Sequence, residues 1–207
     1  MRALLIGFGP FPGAPFNPSA VLVKALARRR RPALAEIVRT THVFATTYAA
    51  VDHDLPKLLA QNPDIVLMFG LAGRTNYLRI ETRARNAVSV LFPDASGYRP
   101  QCAVIVPGGR AALQGTAPFA DLLGALRRCA VPARLSRDAG RYLCNYAYWR
   151  ALERAHDGRP LVQFIHIPPI RFNPRPRARP RRRAPSFAAL VAAAEALLIA
   201  LIAASRR

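Results

Sequence analysis

Short apolar runs alternate with longer helix-like segments along most of this chain, and this alternation restricts the fold more than any other feature. The runs have the length and composition of β-strands, whereas the segments between them have the length of helices. Helices placed between successive strands favour a largely parallel sheet that helices cover. The pattern therefore predicts an α/β sandwich, and 207 residues fit one domain, 1–207.

Six strands and five helices can be placed from this pattern. The predicted strands are Ala3–Ile6, Ile37–Val43, Ile65–Phe69, Leu78–Glu81, Ala133–Leu135 and Val162–Ile167. The predicted helices are Pro18–Arg29, Ala50–Gln61, Phe119–Arg128, Asn145–His156 and Ser186–Ser205.

The last 37 residues divide into two parts of different composition. Arginine and proline alternate in 171–185, which excludes a regular helix and indicates an extended, exposed connector. The following segment, 186–205, is almost wholly apolar and near the lower length limit for a membrane helix. Glu195 in its middle disfavours insertion, so we expect a terminal helix packed on the sheet and no membrane partner.

The formal net charge of +20 is carried almost entirely by arginine, since Lys24 and Lys57 are the only lysines. Such a charge attracts nucleic acid or anionic membrane non-specifically. No zinc finger or other motif that recognises bases accompanies it, so we expect no specific nucleic-acid partner. A binding protein that uses the arginine-rich connector is the less favoured alternative.

The three cysteines, Cys102, Cys129 and Cys144, are odd in number and widely spaced. Neither a disulfide framework nor a zinc site follows from that spacing, and we expect no metal and no cofactor. Free thiols are typical of a reducing cytoplasm. The N-terminal apolar stretch is too short for a signal peptide, so a cytoplasmic location is expected.

Glycine-rich segments or titratable residues lie at the ends of several of the predicted strands. Gly7–Gly13 comes after the first strand and Gly70–Arg74 after the third; Glu81 ends the fourth, and His166 lies at the end of the last. In open α/β sheets, functional groups collect at the carboxyl ends of strands. These segments are therefore the candidate site.

Cys144 precedes a predicted helix, where unpaired backbone N–H groups and the helix dipole favour the thiolate that attacks carbonyls. A cysteine nucleophile needs a base, and the base is usually held by a third group. His166 and Glu81 would fill those roles if the strand ends converge. Each also has a structural alternative. Cys144 could be a small buried apolar residue and His166 a core histidine satisfied by backbone, and Glu81 could be a surface carboxylate paired with Arg83 or Arg85.

Six sequence blocks, in order, resemble the pyroglutamyl peptidase I (pyrrolidone-carboxylate peptidase) family. The blocks are Gly7–Phe11 with Asn17–Ser19, Pro63–Val66 with Gly70–Arg74, Glu81–Asn86, Pro93–Asp94 with Gly97–Pro100, Ser136 and Ala139–Gly140 with Tyr142–Asn145, and Phe164–Pro168. Together they span nearly the whole chain up to Pro168.

The resemblance implies a three-layer α/β/α sandwich with a twisted mixed sheet. It also implies a cysteine peptidase that removes N-terminal pyroglutamyl residues from peptides through a thioester. Cys144 would be the nucleophile, His166 the acid and base, and Glu81 the group that orients the imidazole. Dimers or tetramers are implied as well.

The same resemblance points to residues that contact the substrate. Phe8 and Phe11 align with phenylalanines that contact the lactam ring. Leu71 stands where the family usually carries glutamine beside the lactam. Phe92 lies in the run Leu91–Ala95, where the family usually carries an arginine near the scissile bond.

The departures at Leu71 and Leu91 leave an alternative substrate open. A relative with the same triad could hydrolyse another small N-blocked amide. The intact triad favours a working enzyme in either case.

Overall fold

The structure is a computed structural model, and it describes residues 1–11, 13–155, 159–170 and 185–207. Eight strands are present in these ranges: β1 Arg2–Phe8, β2 Val38–Phe44, β3 Ile65–Leu71, β4 Leu78–Glu81, β5 Arg83–Arg85, β6 Ala112–Gln114, β7 Ala133–Ser136 and β8 Leu161–Ile167. Five α-helices accompany them: α1 Pro18–Ala27, α2 Tyr48–Leu59, α3 Phe119–Arg128, α4 Leu143–Leu152 and α5 Phe187–Ser205.

Six strands form the central sheet in the order β2-β1-β3-β8-β4-β7. All neighbouring strands in it are parallel except β4 and β8, which run antiparallel. The remaining strands, β5 and β6, pair with each other as a separate antiparallel ribbon. The sheet is therefore mixed but largely parallel, as predicted.

Each central strand sends alternate side chains to opposite faces, and each face has its own core. In β1, Ala3 and Leu5 pack in the core that contains residues of α1, α3 and α5. Leu4 and Ile6 pack on the other side, with residues of α2 and α4. Two helical layers with a sheet between them make the three-layer sandwich, so the fold prediction is confirmed.

The predicted elements are present, with differences at their ends. The helix predicted at Asn145–His156 begins two residues earlier, at Leu143, and ends at Leu152; His156 lies outside the described residues. The arginine- and proline-rich connector at 171–185 falls outside them too, except for Pro185. The pattern missed β5 and β6, because three residues are too few to show a period.

The C-terminal helix α5 packs on the sheet, as expected. It is the one helix in the described residues that is long and apolar enough to cross a bilayer. Its buried residues belong to the core over β3 and β8. Glu195 is buried and forms ion pairs with Arg29 and Arg31, in the segment that follows α1. The carboxylate that interrupts the apolar run is therefore neutralised inside the fold.

Asn145 joins α4 to the segment that follows β4. Its side chain is fully buried and makes three hydrogen bonds: Nδ2 donates to the carbonyls of Arg85 (2.8 Å) and Ala87 (2.9 Å), and Oδ1 accepts from the Arg85 N–H (2.8 Å). These bonds satisfy main-chain groups of Arg85, the last residue of β5, and of Ala87, which lies beyond the strand. They fix the position of α4, and with it that of Cys144.

We expect Asn145→Ala to lower the free energy of unfolding by about 2–4 kcal/mol, because buried backbone groups lose their partners. Urea denaturation followed by circular dichroism measures this change. Gln101→Ala, at an exposed position, serves as the control. Equal stability of the two variants would contradict the role given to Asn145.

Candidate active site

Glu81 and His166 come together because β4 runs antiparallel to β8. In this pairing Arg79 lies opposite His166, and Glu81 lies opposite Phe164. Glu81 is thus the diagonal neighbour of His166 on the same face of the sheet, within reach of a long side chain. The sequence led us to expect a convergence of carboxyl ends, and that expectation was wrong for Glu81. Its strand runs the other way, and cross-strand pairing makes the contact.

The contact between these two side chains is a buried hydrogen bond. His166 Nδ1 donates to Glu81 Oε1 at 2.8 Å, and Glu81 is fully buried. The backbone of Glu81 is held as well, since its carbonyl accepts from Tyr148 Oη and Gln163 Nε2, each at 3.0 Å. The imidazole therefore has one orientation, in which Nδ1 is occupied by Glu81 and Nε2 is left for proton transfer.

Cys144 lies in the first turn of α4, beside this imidazole. Its thiol fits there because residue 70 of β3 is glycine. A Cβ at Gly70 would lie 2.8 Å from Cys144 Sγ and 2.8 Å from Phe164 Cζ, closer than real Cβ contacts allow. Gly70 is also the register partner of His166. The absence of a side chain at one strand end thus makes room for the thiol.

The charge state of His166 reflects these neighbours. Burial alone would lower the pKa of its imidazole, but the interactions with Cys144 and Glu81 outweigh it and raise the pKa to about 9. The ring is therefore an imidazolium at neutral pH. A cation beside a thiol favours the thiolate, which is the nucleophilic form.

The backbone at Cys144 offers a donor for negative charge. The first intrahelical bond of this turn runs from the Tyr146 N–H to the Tyr142 carbonyl, at 3.0 Å. The N–H of Cys144 precedes it, among the amides at a helix N-terminus that have no intrahelical acceptor. An oxyanion that forms next to Sγ would meet this amide and the positive end of the helix dipole.

A cavity of about 200 Å³ opens beside the thiol. It is lined by Phe8, Phe11, Asn17, Thr46, Leu71, Ala139, Gly140, Tyr142, Leu143, Cys144 and His166. Three of the four residues predicted to contact substrate, Phe8, Phe11 and Leu71, are in this lining. Phe92 is not, and its side chain is 66 % exposed. The structure therefore does not bring Phe92 to the cavity.

Comparison with known proteins agrees with this arrangement. The family model described as pyroglutamyl peptidase matches residues 1–207. The chain belongs to the pyroglutamyl peptidase family. It is 33 % identical over 171 residues to the pyrrolidone-carboxylate peptidase of Thermococcus kodakarensis. The aligned residues cover 81 % of each protein. It is 36 % identical over 168 residues to that of Clavibacter michiganensis, with 80 % of this chain and 77 % of the relative covered.

The fold is shared with solved members of the pyroglutamyl peptidase family. A mutant pyrrolidone carboxyl peptidase from the hyperthermophile Pyrococcus furiosus superimposes with a TM-score of 0.85 at 26 % identity, covering 99 % of this chain and 100 % of that one. The six blocks that resemble the family in sequence therefore lie in a chain that also shares the family's fold.

Asn17 and Thr46 line the cavity but were not predicted as site residues. Asn17 Nδ2 and Thr46 Oγ1 both donate to the Gly9 carbonyl, at 3.1 and 3.0 Å. Asn17 Oδ1 caps α1 by accepting from the Ser19 N–H at 3.2 Å. The motif Asn17–Ser19 could have identified Asn17 as a site residue. No local sequence pattern distinguishes Thr46, which follows β2.

Neither Glu81 nor His166 has the purely structural role that the sequence left open. Glu81 is not a surface carboxylate, and its arginine partner is Arg79, at 3.0 Å, rather than Arg83 or Arg85. The buried His166 is satisfied by a carboxylate and not by backbone. His42 and His53 lie elsewhere, around Asp54. Within the described ranges, no group of three or more potential metal ligands is found.

Gly70→Ala should displace the Cys144 thiol from His166, because the added Cβ would lie 2.8 Å from Sγ. We expect the rate of alkylation of Cys144 by iodoacetamide at neutral pH to fall about tenfold or more. Mass spectrometry of the peptide that contains Cys144 measures the rate.

Gly73→Ala is the matched control, since an added Cβ there meets no atom within 4 Å. Equal alkylation rates in the two variants would contradict the steric role of Gly70.

Proposed function

We propose that this protein is a cysteine peptidase that removes N-terminal pyroglutamyl residues from peptides. One observation carries the proposal: a Cys144–His166–Glu81 constellation borders a small cavity with aromatic walls. Membership of the pyroglutamyl peptidase family, and relatives named pyrrolidone-carboxylate peptidases, support the same reaction.

In the first half-reaction, the Cys144 thiolate attacks the carbonyl carbon of the pyroglutamyl residue. A C–S bond forms, and the carbonyl electron pair moves to oxygen, where the Cys144 N–H donates to it. One such donor stabilises the transition state by about 3 kcal/mol. The oxyanion then re-forms the carbonyl, the C–N bond breaks, and His166 Nε2 gives its proton to the leaving amine. The product is a thioester and a neutral imidazole.

In the second half-reaction, water replaces the departed peptide. The neutral imidazole of His166 takes a proton from water, and the hydroxide oxygen attacks the thioester carbon. When this intermediate collapses, the C–S bond breaks and the electron pair returns to sulfur. Free pyroglutamic acid leaves and loses its carboxyl proton to solvent, and the thiolate and imidazolium are restored. Glu81 keeps Nδ1 in its hydrogen bond throughout, so the ring does not turn.

The cavity suits a small neutral ring. Pyroglutamate is a lactam with no charged amine, so its site requires apolar walls and a few hydrogen-bonding groups. Phe8 and Phe11 provide aromatic walls, and the described lining contains no carboxylate that would select for an α-ammonium group. The volume of about 200 Å³ fits one small residue, which matches the removal of a single residue.

Leu71 is the observation that favours a second candidate substrate. Its side chain is apolar and lines the cavity, so it offers no hydrogen bond to a lactam amide. Another small N-blocked residue could then compete for the site. The main-chain groups of Leu71, at the end of β3, are unaffected by its side chain.

The direct test is hydrolysis of a pyroglutamyl-coumarin amide by the purified full-length protein. We expect release of coumarin by the wild type and by Cys129→Ala, and a loss of more than about a thousandfold in Cys144→Ala, which lacks the nucleophile.

The same assay with N-acetyl and N-formyl aminoacyl amides, which are N-blocked, separates the two substrates. The pyroglutamyl amide should give the highest kcat/KM. A higher value for another blocked amide would favour the second candidate, and equal background hydrolysis by wild type and Cys144→Ala would refute both.

The activity should decline at alkaline pH. The proton that His166 gives to the leaving amine is present below its pKa of about 9 and is lost as the pH rises through that value. We therefore expect an alkaline limb in kcat/KM near pH 9, measured with the coumarin substrate. In Glu81→Gln, which loses the anionic partner, this limb should move to lower pH. An alkaline limb that stays in place would contradict the ion pair.

The partners, the oligomeric state and the location of the protein are proposed from the sequence. The proposed partners are peptides with N-terminal pyroglutamate, without a specific nucleic acid or a membrane. Assembly as a dimer or tetramer and a cytoplasmic location also stay predictions.

A further inference from the structure

Glu81 has a second cationic partner that the proposed mechanism does not use. Arg79 lies two residues before it on β4, on the same face of the strand. Arg79 Nε lies 3.0 Å from Glu81 Oε1, the same oxygen that accepts from His166 Nδ1. Among the described residues, Glu81 Oε2 has no hydrogen-bond partner. One carboxylate oxygen is therefore shared by a guanidinium and an imidazolium.

Arg79 is held in this position from its other side. Its Nη2 donates to Ser136 Oγ at 2.8 Å and to the Asp138 carbonyl, so that β7 and the loop after it fix the guanidinium. The loop continues to Ala139 and Gly140, which line the cavity. Arg79 thus connects the cavity wall with the carboxylate that orients His166.

The surroundings make this contact electrostatically important. Glu81 is fully buried and Arg79 is only 24 % exposed, so solvent screens their charges less than it would at the surface. Three titratable side chains meet His166 or its carboxylate in the described structure: Glu81 and Arg79 from β4, and Cys144 from α4. Tyr148 of α4 lies next to them and donates to the main-chain carbonyl of Glu81. The nearby Asp138 carboxylate is paired with Arg85. Arg79 is the permanent cation of this group.

We propose that Arg79 is a positioning residue of the proposed triad, whose guanidinium holds the Glu81 carboxylate against His166 and takes a share of its negative charge. This inference rests on the proposed function, in which His166 must both give and take a proton. A carboxylate paired with the imidazole alone would hold the proton too tightly. With Arg79 on the same oxygen, the imidazolium releases its proton to the amine more readily, and a larger fraction of the ring is neutral when water has to be deprotonated.

The test compares Arg79→Met with Arg79→Lys, which keeps the charge. Nuclear magnetic resonance titration of the His166 imidazole measures its pKa without any substrate, so the result does not depend on turnover. In Arg79→Met we expect this pKa to rise by about 0.5–1 unit, because a nearby positive charge has been removed. Arg79→Lys should stay near the wild-type value.

Arg83→Met is the matched control, since its Nε bonds the Arg137 carbonyl at 3.0 Å in the same region. It removes one arginine without touching Glu81, and its titration should match that of the wild type.

Kinetics with the coumarin substrate complete the test. If water attack limits turnover at neutral pH, a raised His166 pKa leaves a smaller fraction of the ring in the neutral form that can act as base. The kcat should then fall severalfold in Arg79→Met, with little change in KM, and recover in Arg79→Lys. A purely structural role would leave the His166 titration midpoint in place. An unchanged or lowered midpoint in Arg79→Met, or an equal rise in Arg83→Met, would overturn the inference. A raised midpoint in a protein that does not cleave pyroglutamyl amides would support it and refute the proposed substrate.

Discussion

The buried carboxylate of Glu81 is the group around which the site is organised. A fully buried charge is costly unless it is paired and hydrogen-bonded, and Glu81 meets this condition through His166 and Arg79. The main-chain carbonyl of Glu81 also accepts hydrogen bonds from Tyr148 and Gln163, so the position of the residue in the sheet is fixed. The orientation of His166, and so the contact of its ring with Cys144, depends on this one group.

The antiparallel pair in an otherwise parallel sheet has a direct consequence for this chemistry. If β4 had run parallel to β8, the register that places Arg79 and Glu81 around His166 would not exist. Instead, one short strand of four residues supplies both the anion and the second cation, two positions apart on one face. The neighbouring β7 then anchors Arg79 through Ser136. Local strand direction thus determines which charges surround the imidazole.

The arginine-rich composition also has a structural role in two places. Arg29 and Arg31 neutralise Glu195, the one carboxylate of the apolar helix α5, and Arg79 neutralises Glu81. Both carboxylates are buried, and guanidinium groups are suited to such pairs because they are planar and more weakly hydrated than ammonium groups. The arginine charge, which the sequence suggests is spread over the surface, therefore includes specific contacts with buried carboxylates.

Periodicity and length were sufficient for the six central strands, the five helices and the sandwich, because each follows from local apolar patterns. Ordered motifs were sufficient to select Cys144, His166, Glu81, Phe8, Phe11 and Leu71 as candidates. Contacts between distant segments could not be derived in this way: the antiparallel register of β4, the space that Gly70 leaves for the thiol, the turn of the chain that places Thr46 in the cavity, and the exposure of Phe92. These depend on how strands far apart in sequence pair and pack, which only the tertiary structure decides, because neither pairing direction nor side-chain contact is encoded in any local pattern.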